Sequence, residues 1–149
     1  MELKDLYKEI ILDHGKNPRN FGKCNNYNVD AKGHNPLCGD KVHIYAKVDK
    51  EKKVLDLSFE GEGCAISLAS ASILTDIVKG KEYILAERII SDFLMMVKKN
   101  DKMKTNSLDE DQVTTMMSLS GVKEFPMRVK CATMAWHTLS EALKGKNNE

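Results

Sequence analysis

Around residue 64 the hydrophobic period of this chain changes, and that change limits the folds open to it. Before it, Val42, Ile44, Ala46 and Val48 alternate with polar neighbours, which is the period of a half-buried strand over 41–49. After the polar turn Asp49-Lys50-Glu51-Lys52, the residues Val54, Leu55, Leu57 and Phe59 read as another strand. A connection this short cannot hold a crossover helix, so the strands must pair antiparallel. From Ala65 the pattern is helical: Ala65, Leu68, Ala69, Ser72, Ile73, Asp76 and Ile77 share one face. Its small side chains let a helix pack closely on a sheet, and Gly80 ends it.

The flanking segments complete this picture. Leu3, Leu6, Tyr7, Ile10 and Ile11 recur at helical spacing, which predicts a helix over 3–13 stopped by Gly15, with Pro18 beyond. Residues 15–25 read as a loop, and 27–32 as a weak strand. A second long helix is expected over 82–98, with Leu85, Ile89, Phe93 and Met96 as its stripe. The charged run after it reads as a solvated loop. Ser107 with Glu110 fits an S-x-x-E capping box, so a short helix should begin near Leu108, and Gly121 should close that region. The last helix should start near Pro126 and carry Cys131, Met134, Ala135, Thr138, Leu139 and Ala142 on one stripe. The tail 144–149 is polar and expected to fray. No repeat or long linker divides the chain, so residues 1–149 are read as one domain. The expected fold class is α+β: a small three-stranded antiparallel sheet packed against a layer of helices.

Charge and composition narrow the function classes. The net charge is +1, which implies no bulk attraction to nucleic acid or to a membrane surface. The start of the chain lacks a basic, then apolar, signal pattern, and no apolar run is long enough to span a bilayer. The chain has four cysteines without a dense framework, which favours a reducing compartment and metal or sulfur chemistry. The expected location is the cytoplasm.

Three of the cysteines sit in unusual company. In Asn35-Pro36-Leu37-Cys38-Gly39-Asp40 a thiol and a carboxylate flank a glycine, whose backbone freedom allows both side chains to aim at one point. Cys64 follows Gly61 and Gly63 at the sheet-to-helix turn, where the helix dipole favours thiolate. Cys131 lies in the first turns of the last helix, and thiolate is expected there too. Together Cys38, Asp40, Cys64 and Cys131 supply four ligands, enough to close a tetrahedral metal site. Thiolates suit both zinc and iron–sulfur clusters. Aspartate is the harder, more exchangeable member, which fits transient binding better than a permanent structural ion. A zinc hydrolase is disfavoured, because four filled positions leave no place for a reactive water. Cys24 has no such context and reads as incidental. His34 stands four residues before Cys38 but is more simply a solvated loop histidine, and His14 at a helix end suits the dipole there.

Taken in order, Cys38-Gly39-Asp40, Gly61-Glu62-Gly63-Cys64-Ala65-Ile66-Ser67 and Arg128-Val129-Lys130-Cys131-Ala132 resemble the NifU/IscU-like iron–sulfur assembly scaffolds. Tyr7 to His14 and Asn17-Pro18-Arg19-Asn20 carry the resemblance through the N-terminal part. Lys130, where the IscU branch has histidine, and a longer stretch between Cys64 and Cys131 are similar to the SufU-type branch, with the excess within about 80–120. The resemblance implies that Cys38, Asp40, Cys64 and Cys131 hold Zn2+, and that Cys131 accepts persulfide sulfur. It implies that Arg128 engages a SufS-type cysteine desulfurase, and that sulfur passes on to a SUF scaffold or apo-protein acceptors. Such a protein is a sulfur acceptor more than a stand-alone enzyme. The alternative is a scaffold that builds and transfers a [2Fe-2S] cluster on the same ligands.

Overall fold

The computed structural model describes residues 2–99 and 108–145. The strand block forms β1 (Val29–Asn35), β2 (Asp40–Val48) and β3 (Val54–Glu62), paired antiparallel in the order β1-β2-β3. The helices among the described residues are α1 (Leu3–Lys16), α2 (Ala65–Val78), α3 (Tyr83–Lys99), α4 (Glu110–Met117) and α5 (Pro126–Leu143). A 3₁₀ turn, Ser120–Glu124, leads into α5. None of these helices is long and apolar enough to cross a membrane.

The alternation in β2 does what its period demands. Val42, Ile44 and Ala46 are buried on one face, in register with Gly61, Phe59 and Leu57 of β3. α2 and α5 lie across that face, and α3 and α1 pack onto them. Ile73, Leu74 and Ile77 of α2, Ile89 and Phe93 of α3, and Trp136 and Leu139 of α5 close the core. Phe93 and Trp136 stack with ring centroids 3.8 Å apart. The opposite face of β2 is polar except for Tyr45, whose ring is covered by Tyr27 and His43.

Several boundaries differ from the sequence expectation, each for a local reason. α1 runs to Lys16 because Gly15 is no stop signal; it sits in the last turn facing the Ala65 backbone, 3.5 Å from that carbonyl to where a Cβ would stand. Termination falls to Asn17, since a residue before proline is pushed out of helical angles. β1 begins and ends later than 27–32, because its pairing is set by β2: Gly33 lies opposite Val42 and Asn35 opposite Asp40. A side chain at Gly33 would run into Thr138 of α5, so this glycine lets α5 approach the strand. α4 is capped by Asp109 and Gln112, which form the reciprocal box. Ser107 lies outside the described residues, and Glu110 takes the first helical position. Gly121 sits within the 3₁₀ turn.

The small residues of α2 serve helix neighbours as well as the sheet. Ser70 donates to the Ala132 carbonyl and accepts from the Trp136 indole N–H. Ser72 Oγ accepts from the Arg19 backbone N–H at 2.8 Å and meets His14 Nδ1 at 2.7 Å. His14 is therefore a buried interface residue, and burial holds its pKa below the usual 6.5. The expected role as a charge at the helix end is not what the structure shows.

Candidate metal centre

Asp40 is the first inward position of β2, on the same face as Val42, Ile44 and Ala46. The strand period thus carries a carboxylate into the protein at the end of the sheet, where it is fully buried. Asn35, opposite it on β1, is buried on the same side. The turn between them holds Cys38. Both the Cys38 and Gly39 N–H groups donate to the Asn35 carbonyl, and Gly39 adopts φ +74°, a left-handed angle suited to glycine. On the neighbouring β3-to-α2 turn, Gly63 has φ +152°, and a Cβ there would collide with the Asp40 carboxylate and stand 2.7 Å from Ser67 Oγ. Cys64 caps α2, with its backbone N–H donating to Asp40 Oδ1 at 3.0 Å. Cys131 projects from the second turn of α5.

Three of the four expected ligands converge tightly. One carboxylate oxygen of Asp40 and the Sγ atoms of Cys38 and Cys131 all lie within 4.8 Å of one another. The Cys131 thiol approaches Cys38 Sγ at 3.7 Å. Cys64 is tied to the group through its backbone, but its thiol does not lie within 4.8 Å of all three partners. Asp40 Oδ2 is buried without a hydrogen-bond partner. A buried carboxylate oxygen left unpaired is costly, and a cation among these groups would satisfy it.

The electrostatics of the protein groups alone run against one sequence expectation. Cys131 is 1% exposed, and burial pushes its thiol far above the ordinary range, helped by Asp40, Cys38 and Cys64 around it. It lies beyond the first helical turn, so the α5 dipole gives little help. These surroundings favour the protonated thiol, and a positive charge placed among them would favour the thiolate. Arg128, one turn earlier and exposed, faces both thiols; Cys64, then Cys131, holds its proton more firmly.

Other candidates fall elsewhere. His34 sits on the outer face of β1, since Asn35 points inward and side chains alternate. Cys24 is half-buried, its N–H donating to Ser58 Oγ. His43 bonds Asp30 at 2.6 Å on the outer face. Two site residues were missed in the sequence. Asn35 reaches Cys131 Sγ with its amide at 4.0 Å, and Ser67 donates to the Cys64 carbonyl at 2.9 Å. The register of β1 with β2, which sets Asn35 opposite Asp40, explains the first and was not visible in the sequence.

Comparison with known proteins defines the class. The family described as NifU-like N terminal domain matches residues 6–132, and the chain belongs to that family. It is 38% identical to the zinc-dependent sulfurtransferase SufU of Bacillus subtilis, over 95% of this chain and 91% of that one. It is 37% identical to the iron–sulfur cluster assembly scaffold protein IscU of Streptococcus pyogenes, over 99% of this chain and 88% of the relative. A crystal structure described as a SUF-system assembly scaffold from Fervidobacterium islandicum superposes with a TM-score of 0.78 at 34% identity, covering 91% of this chain and 94% of that one. The NifU-like N-terminal domain of Brucella abortus shares the fold, with a TM-score of 0.83 at 20% identity, over 99% of this chain and 98% of that one.

Proposed function

We propose that this protein is a zinc-bound sulfur acceptor of iron–sulfur cluster assembly, taking persulfide sulfur from a SufS-type cysteine desulfurase in the cytoplasm. The observation that carries this reading is the unpaired, buried Asp40 Oδ2 beside two sulfurs at 3.7 Å. Zinc–sulfur bonds of about 2.3 Å at tetrahedral angles put neighbouring sulfurs roughly 3.8 Å apart, so the pair already stands at the spacing a zinc ion requires. Cys38, Asp40 and Cys131 are three ligands, and Cys64 becomes the fourth by turning its thiol inward. Bound there, zinc would hold the thiols as thiolates.

The chain's own residues then set the transfer. The Cys131 thiolate attacks the outer sulfur of the partner's persulfide, the sulfur–sulfur bond breaks, and the partner's thiolate leaves. Because Cys131 is buried, the protein must open around it to admit the partner's persulfide. Arg128 is exposed while it faces the thiols, so it can meet the docked desulfurase and stabilise negative charge on Cys131. The sulfur then passes to a SUF scaffold or an apo-protein. In the same proposal the chain is one domain, with about 80–120 as the region that distinguishes its branch.

Mass spectrometry after incubation with desulfurase and cysteine tests this. The expected result is a persulfide on Cys131, none in Cys131→Ser, and weak desulfurase stimulation by a zinc-loaded Arg128→Ala. A persulfide confined to Cys24 or Cys38 would overturn the assignment. The similarity to an IscU scaffold over nearly the whole chain favours a second reading, a [2Fe-2S] cluster assembled on the same ligands. Metal analysis and an absorption spectrum of anaerobically purified protein separate the two: colourless with zinc, or brown with iron and labile sulfide.

A further inference from the structure

The two edges of the sheet are treated differently by the rest of the chain. Along β3, residues 20–22 cover the edge: Phe59 N–H donates to the Asn20 carbonyl at 3.1 Å, and Gly22 N–H to the Phe59 carbonyl at 2.7 Å. Along the outer edge of β1, no backbone group among the described residues pairs with the strand. Lys32 to Asn35 of that edge form one wall of a groove of about 780 Å³. The other wall is a face of α5 through Val129, Lys130, Thr133 and His137, with Lys98 at the end of α3.

Charge in this groove is one-sided. Lys32, Lys98 and Lys130 reach it from three different elements, and no described carboxylate forms an ion pair with any of them. Glu141 is the acidic residue in the described lining. The whole chain carries only +1, so this lining is more basic than the chain as a whole. A lysine on an open strand also deters unwanted pairing, and Lys32 alone would do that. Lys98 and Lys130 stand across the groove, where they do not shield the edge but can meet the side chains of a strand laid against it.

We propose that this groove takes an extended acidic segment of a partner protein, which adds to β1 as a fourth strand. The N–H and C=O groups of β1 that face away from β2 supply backbone hydrogen bonds, and the lysines select carboxylates. The edge from Lys32 to Asn35 spans roughly 13 Å, room for a strand of about four residues. A nucleic acid fits less well, because its phosphates cannot pair with the alternating donors and acceptors of a strand edge. The groove ends at Pro36 and Leu37, beside Cys38, so the segment would lie next to the thiol cluster without entering it.

The test uses the full chain and a labelled short peptide alternating glutamate with valine, followed by fluorescence anisotropy and amide chemical shifts. Binding is expected with shifts over Lys32–Asn35, and the double variant Lys32→Glu, Lys98→Glu should weaken it by roughly tenfold. Circular dichroism confirms that this surface variant is folded, and persulfide formation on Cys131 should be unchanged in it. Absence of binding would overturn the proposal. Equal binding of a lysine–valine peptide would remove the charge selection. Equal binding of a peptide with proline at alternate positions would exclude strand addition. Displacement by a single-stranded oligonucleotide that binds more tightly would reassign the groove to nucleic acid.

Discussion

Two buried side chains of α5, Cys131 and Trp136, lie about 7–8 Å apart along the helix axis and are built into the protein on different terms. Trp136 is fully buried, its ring stacked on Phe93 and its indole N–H donated to Ser70. Nothing around it is missing. Cys131 is as deeply buried, but its neighbours are two more thiols and a carboxylate oxygen with no partner. The first region supplies stability with protein atoms alone. The second carries a standing electrostatic cost that an added cation removes. The difference teaches where the fold ends and the site begins: the core is built from residues outside the cluster, while the cluster takes its shape from the sheet and helices that carry it.

The largest expected effect breaks the first region. Trp136→Ala should cost about 3–5 kcal/mol, because a large ring leaves a cavity and Ser70 loses a partner. Denaturant titration measures it, and a loss below about 1 kcal/mol would show that the core does not rest on this stack.

Metal removal breaks the second region and should spare the first. Ion bound at a hundred to a thousand times its dissociation constant contributes about 2.7 to 4 kcal/mol, which chelation would remove. The far-ultraviolet circular dichroism should keep its helical shape while the melting temperature falls. A random-coil spectrum would mean that the core cannot stand without the site.

Gly63→Ala sharpens the boundary between the two. The new methyl group meets the Asp40 carboxylate, and φ +152° is strained for alanine. Displacing the carboxylate should weaken metal binding roughly 10–100-fold, as loss of ligand orientation commonly does. Competition with a chromophoric chelator reads this, and unchanged affinity would show that Asp40 is free to move.

The smallest effect lies at the α1–α2 contact, away from both. His14 has its pKa lowered first by burial and then by Arg19, while Asp76 and Asp13 pull it back. The unfolded chain therefore binds the proton first as pH falls through about 6.5. Stability should drop from there down to the folded-state pKa, by no more than about 1.4 kcal/mol per pH unit. His14→Gln should flatten that slope in melts taken between these limits.

Much of this protein was legible in the chain itself. Period two over 41–49 and 54–59, period 3.6 from Ala65, and the short turn at 49–52 determined an antiparallel sheet followed by helices, since backbone geometry ties side-chain period to secondary structure. The cysteine and aspartate positions were legible too, because glycines beside Cys38 and Cys64 announce close approach. Tertiary structure alone decided the rest. Gly15 reads as a stop in sequence and proves to be a contact with Ala65. Cys131 looked like a thiolate near a helix start, but burial first, then Asp40, Cys38 and Cys64, raise its pKa. Asn35 gave no sign of its place beside Cys131 until β1 and β2 were in register. In each case the deciding term is the environment supplied by residues far away in the chain, and desolvation and close contact have no signature in local sequence.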